Sequence, residues 1–311
     1  MSMRPAALFT GYLAVALLLG ALLAYPIYVA LNPMIDEPMY RFVTRSGMLI
    51  ALLALTWFLR LQNLADRRAL GYALPRHVFV RDLIIGMAAG VSIMVPLICA
   101  LLLLEVRVPN PAWVFSGTDL ALTLAKALLA GVLVALIEET FFRGAMYTAV
   151  ERHSGLWAAV LLPSLLYAAL HFLTTDYDAP PRALEWYSGF VSLGYMFEQY
   201  AAPALLIDSF LALFAVGVFL ALVRARTGHI AGCIGLHAGW VMIIKLTTHV
   251  TTTNKHARYS FLAGDYDGVI GYLALALIAT VAVVYAVMTR DRRPRESAVR
   301  RVGGNDQSRV Q

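Results

Sequence analysis

Residues 83–104 read LIIGMAAGVSIMVPLICALLLL, without one charged side chain. A helix that crosses a bilayer needs about 20 such residues, and few features limit a fold as tightly as a run of this kind. Inside hydrocarbon every backbone N–H and C=O must find its partner within the protein, which leaves helices or a closed barrel. The run lacks the period-2 alternation of barrel strands, so it is read as a helix. With its flanks it predicts a span over 82–105, and comparable stretches lie at 6–31, 46–60, 119–142, 156–173, 204–223, 229–246 and 268–289. The second is short and the seventh carries polar residues. The predicted fold is all-α, a polytopic transmembrane helix bundle of about eight spans.

Composition agrees. The chain is 60% hydrophobic and 14% charged, against roughly 45–50% and about 25% in soluble domains, and its mean hydropathy is +0.71. The net charge of +6 does not imply a nucleic-acid partner. Its basic residues occupy short loops and the stretch TRDRRPRESAVRR (289–301), with no basic-aromatic module. The bilayer is the expected partner. Arg60, Arg67, Arg68, Arg76, Arg81 and the arginines from Arg290 onward outweigh those of the alternate loops. This bias predicts a multi-pass integral membrane protein with both termini cytoplasmic, in the inner membrane if the cell is bacterial. The first apolar stretch exceeds the about 7–15 residues of a signal-peptide core and is expected to be a retained span.

Four regions are expected: spans 1–3 within 1–118, a core of spans 4–7 within 119–246, an outer loop and last span over 247–289, and a basic, disordered cytoplasmic tail over 290–311. Segment 174–203 is the longest outer loop; its Trp186, Tyr187, Tyr195 and Phe197 suit an interfacial anchor or a lid. Cys99 and Cys233 lie inside apolar runs without a ligand-like spacing and are expected to be buried small hydrophobes. Asp208 has Lys126 or Lys245 as possible partners, although snorkelling near the interface is the simpler expectation. His249 and His256 are read as solvated loop residues, and His77 and His153 carry no motif.

The fourth span ends in GVLVALIEETFFRG (131–144), which places Glu138, Glu139 and Arg143 beside oily residues. A charge at the centre of a membrane helix costs on the order of 2.5–3.5 kcal/mol on insertion scales, and such residues are usually functional. Glu139 and Arg143 stand i,i+4 with the acid first, the favoured order for a helical ion pair; they are read as a structural clamp. Glu138 points about 100° away and has no such neighbour. In the next span Tyr167 and His171 share a helical face, and a tight hairpin at Ser154–Gly155 would put Glu138 and His171 at one level, each about 25 Å from the turn. His237, in the seventh span between Gly235 and Gly239, can reach the same depth if the helices pack closely.

These three segments, EETFFR (138–143), YAALH (167–171) and HAGWV (237–241), resemble the motifs of the CAAX-protease and bacteriocin-processing family of intramembrane proteases. That family carries Glu-Glu-x-x-x-Arg, Phe-x-x-x-His and His-x-x-x-Asn/Asp in this order on successive membrane helices. The resemblance implies an intramembrane endopeptidase acting on a peptide or membrane protein. Glu138 would be the general base on a water molecule, His171 would hold that water, and His237 would donate to the oxyanion, with Glu139, Arg143 and Tyr167 in support. Two positions depart from the pattern: Tyr167 replaces Phe, and Val241 stands where Asn or Asp is usual. Trp240, at i+3 from His237, offers an indole N–H as a substitute donor. No cofactor is expected; the alternative is a zinc ion on Glu138, His171 and His237, although nothing in the sequence marks a carboxylate that would orient the histidines. Two other functions stay open, a non-catalytic scaffold or bacteriocin-immunity protein, which Val241 would favour, and a proton-coupled transporter.

Overall fold

The computed structural model describes residues 3–31, 34, 37–175, 177 and 180–290. The tail expected to be disordered lies, beyond Arg290, outside the described residues. Each predicted stretch is helical. The long helices are α1 (Arg4–Leu31), α2 (Met39–Leu61), α3 (Arg76–Leu103), α4 (Gly117–Glu139), α5 (Tyr147–Leu170), α7 (Ile207–Thr227), α8 (Ala231–Val250) and α9 (Tyr272–Met288), with a short α6 (Ser188–Glu198) before α7. Among the described residues six helices are long and apolar enough to cross a membrane, judged by length and composition, and Leu156–Leu170 and Tyr272–Met288 are shorter apolar helices beside them. The protein is a multi-pass membrane helix bundle.

Several boundaries have local causes. Helix α2 begins well before the predicted 46, because Glu37 pairs with Arg41 and with Arg45 along its first turns. Ser116 caps α4 by accepting from the Asp119 N–H, an N-cap hydrogen bond that satisfies one free donor of the first turn. From α4 the chain continues as a π-helical segment, Thr140–Met146, into α5. The helical path breaks only at Gly155, with φ 81° and ψ 177°, where the spacing of Glu138 and His171 places the hairpin turn. Only glycine adopts such a φ without strain. Glu151, Arg152 and His153 at this tip are exposed.

Helix α8 runs between α3 and α4, and α1 pairs with α2. The α3–α8 seam is built on glycines. A Cβ at Gly86 would fall 2.5 Å from the Gly232 carbonyl oxygen, one at Gly90 2.5 Å from that of Leu236, and one at Gly239 2.8 Å from that of Met87. Small residues at such positions let backbones approach where lipid supplies no hydrophobic drive between helices.

Strands β1 (Arg107–Pro109) and β2 (Thr251–Thr253) pair antiparallel beyond the ends of α3 and α8, a ladder that helical periodicity does not foretell. Arg107 is buried there and donates to Thr251 Oγ1 and Thr253 Oγ1 at 2.9 Å and to the Thr251 carbonyl at 2.8 Å. Cys233 is buried but Cys99 faces outward from α3, which corrects the expectation that both are interior. Within the 174–203 segment α6 packs on α1 and α2, with Leu193 and Met196 joining Ala21, Ala24 and Phe42. Trp186 and Tyr187 remain exposed, as an interfacial anchor requires.

Candidate active site

The two adjacent glutamates of α4 face different surroundings. Glu139 is fully buried. Its Oε1 accepts from Arg143 Nη1 at 3.1 Å, as the i,i+4 spacing predicts, and also from His237 Nδ1 at 2.9 Å. The clamp is therefore also an orienting group for an imidazole on another helix. That corrects the reading that neither histidine has a carboxylate behind it. Arg143, 1% exposed, completes its hydrogen bonding with the Gly217 carbonyl at 3.3 Å and lays its guanidinium 4.5 Å from the Tyr167 ring centre.

Glu138 turns the other way. Its side chain is 29% exposed and lines a cavity of about 450 Å³ together with Tyr167, His171, Tyr12, Thr44 and Arg45. Its Oε2 accepts no hydrogen bond among the described residues and lies 3.9 Å from His237 Nε2. No ion pair among the described residues neutralises it other than this contact, which is charged only if His237 is protonated.

His171 sits at the C-terminal end of α5, with Nδ1 2.7 Å from the Tyr167 carbonyl oxygen. A carbonyl only accepts, so Nδ1 carries the proton and Nε2 is left with its lone pair. The same logic holds for His237, whose Nδ1–H points at the Glu139 carboxylate. Both histidines thus present Nε2. The Tyr167 ring links them, 4.4 Å from the His171 ring centre and 6.1 Å from that of His237. Phe142 stands edge-on to Tyr167 at 5.5 Å, and Phe141 carries the aromatic chain on to Phe9 of α1 at 5.4 Å. The α1–α2 pair is thereby fixed against the site as the far wall of the cavity.

Trp240 is 4% exposed and packs 6.1 Å from the Phe219 ring of α7. Its Nε1–H finds no acceptor among the described residues, an uncommon condition for a buried donor. Val241 follows it with no donor at all. Sequence reasoning passed over Tyr266, in the loop before α9, whose ring lies 6.3 Å from His171 and 5.3 Å from Phe172; a lone loop tyrosine carries no pattern that would flag it.

Among the described residues no three His, Cys, Asp or Glu side chains stand together as a metal-holding group. Elsewhere, Asp208 is buried, accepts from the Ser209 N–H at 2.6 Å, and shares no ion pair with Lys126 or Lys245 among the described residues. His249 is not a free loop residue but ends α8, 2.8 Å from Asp119 Oδ2, whereas His256 and His77 are exposed.

Comparison with curated proteins and with solved structures gives no match. A family model does match, over the helices that carry Glu138, His171 and His237. Residues 120–243 fit the model described as type II CAAX prenyl endopeptidase, Rce1-like, so this part of the chain is similar to that family.

Proposed function

We propose that the protein is an intramembrane endopeptidase in which Glu138 takes a proton from a water molecule as that water attacks a peptide carbonyl. One observation carries this reading: a carboxylate with no hydrogen-bond donor on Oε2 faces a cavity that also holds His171, with His237 Nε2 3.9 Å away. A base placed within reach of a water contributes typically 10²–10⁴-fold. His171, with Nδ1–H tied to a carbonyl, offers Nε2 as an acceptor that fixes the same water. His237, its Nδ1–H held by Glu139, turns Nε2 towards Glu138 and, once that nitrogen has taken up a proton, donates to the oxyanion, where oriented donors stabilise the developing charge most. Arg143 holds Glu139 in place.

The substrate is a peptide or membrane protein that reaches the cavity beside α2. The loop arginines support cytoplasmic termini. A second reading, a non-catalytic scaffold or immunity protein, rests on Val241, which supplies no oxyanion donor.

Processing of candidate peptides in membranes containing wild type, Glu138→Ala or His171→Ala separates the two. Cleavage by wild type alone is expected. Equal processing by all three overturns the endopeptidase reading.

A further inference from the structure

An oxyanion site needs donors aimed from more than one direction, and α8 offers His237 followed by a valine at the next turn. A different element approaches the site from the loop before α9. Tyr266 stands edge-on to His171, with ring centres 6.3 Å apart and planes at 65°, and its other side rests on Phe172. The loop that delivers it is firmly built. Gly264 and Gly268 flank it with φ of 66° and 70°, a left-handed conformation suited to glycine. Asp267 Oδ1 accepts from the Val269 N–H at 2.9 Å and the Ile270 N–H at 2.7 Å. Arg107, anchored in the β1–β2 ladder, reaches the Asp267 carbonyl at 3.5 Å. With 39% of its surface exposed, Tyr266 is neither a core residue nor a loose one.

We propose that Tyr266 is a further catalytic residue, its phenol O–H donating a hydrogen bond to the oxyanion that forms on the scissile carbonyl. This rests on the endopeptidase reading above. As the water oxygen bonds to the carbonyl carbon, its proton passes to Glu138 and the carbonyl π pair moves onto oxygen, where Tyr266 and His237 meet it. When the tetrahedral intermediate collapses, the C–N bond breaks and the proton on Glu138 passes to the leaving amine. Tyr266 gives up no proton in either step. Its phenol is suited to this: burial, with Asp267 and Glu138 adding negative charge nearby, pushes it above its ordinary value, so it remains a donor at neutral pH.

The test compares full-length wild type, Tyr266→Phe and Glu138→Ala in lipid vesicles. The probe is an internally quenched peptide ending in farnesyl-cysteine and three further residues, run beside its unprenylated twin. Tyr266→Phe keeps the ring on Phe172 and removes only the hydroxyl. Its kcat is expected to fall about 10²-fold, the loss typical of one oxyanion donor, with KM within twofold and an unchanged thermal midpoint. A kcat within threefold of wild type overturns the role of Tyr266 while Glu138-dependent cleavage stands, and so does a loss confined to KM, which would mark a binding contact. Wild type inert towards both probes overturns the endopeptidase reading and this inference with it.

Discussion

Glu139 Oε1 lies 2.9 Å from His237 Nδ1, joining residues 98 positions apart in the chain, and the same oxygen takes the Arg143 guanidinium at 3.1 Å. One buried carboxylate oxygen thus ties the end of α4 to the middle of α8. Removing Arg143 leaves Glu139 uncompensated inside the bundle, and breaking a buried pair costs about 3–5 kcal/mol. Arg143→Ala is expected to lower the stability of the micelle-solubilised protein by that order, read from denaturant unfolding. An unfolding midpoint equal to wild type would show that the pair is not what holds this junction.

Glu138 should behave in the opposite manner. It has no hydrogen bond on Oε2 and is partly exposed to the cavity, so Glu138→Gln keeps the shape and removes a base. Turnover of a cleaved peptide is expected to drop about 10²–10⁴-fold, with stability within about 0.5 kcal/mol of wild type, the usual range where no buried contact is lost. A large stability loss with activity retained would exchange the roles of the two glutamates.

At Trp240 the orphaned indole N–H gives a prediction with two readouts. If that donor meets the oxyanion, Trp240→Phe lowers kcat about 10²-fold. Stability should hold or rise, because an unsatisfied buried donor costs about 1–3 kcal/mol. Unchanged turnover in Trp240→Phe would leave the indole a packing group against Phe219 alone.

Chelation tests whether the site works without a metal. The glutamate-base mechanism proposed above uses no metal, so prolonged dialysis against a strong zinc chelator should leave the cleavage rate unchanged. Loss of activity that added zinc restores would overturn that mechanism.

The glycine seam reports on geometry. A methyl at Gly90 would sit 2.5 Å from the Leu236 carbonyl oxygen, closer than real Cβ contacts, and the backbone next to His237 would have to move. Gly90→Ala is expected to reduce activity more than tenfold, since a misplacement of about 1 Å can cost 10²-fold. Gly117→Ala, where nothing lies within 4 Å, serves as its control in the same cleavage assay.

Much of this architecture was legible in the sequence because the bilayer leaves so few alternatives. Apolar length located every long helix, and helical rise from Glu138 to His171 located the turn at Gly155. The i,i+4 rule found Glu139 with Arg143 and Tyr167 with His171. What escaped were contacts that no period encodes. The bond from Glu139 to His237 depends on how two helices rotate against one another. Asp119 with His249, the Arg107 ladder and the approach of Tyr266 all depend on where loops return. The outward position of Cys99 has the same origin, since an apolar run in a membrane helix looks alike on its lipid face and its packed face.

The π-helical stretch between Thr140 and Met146 has an evolutionary corollary. Such a bulge holds one residue beyond what a regular helix would use. A gene that dropped one codon there could close into an unbroken helix and still insert in the membrane. Yet the portion bearing the two glutamates would swing about 100° relative to everything beyond it, and Glu139 would part from either His237 or Arg143. Length in these few positions is thus under a stricter constraint than hydrophobicity, and a one-residue gap would silence the site without dismantling the bundle.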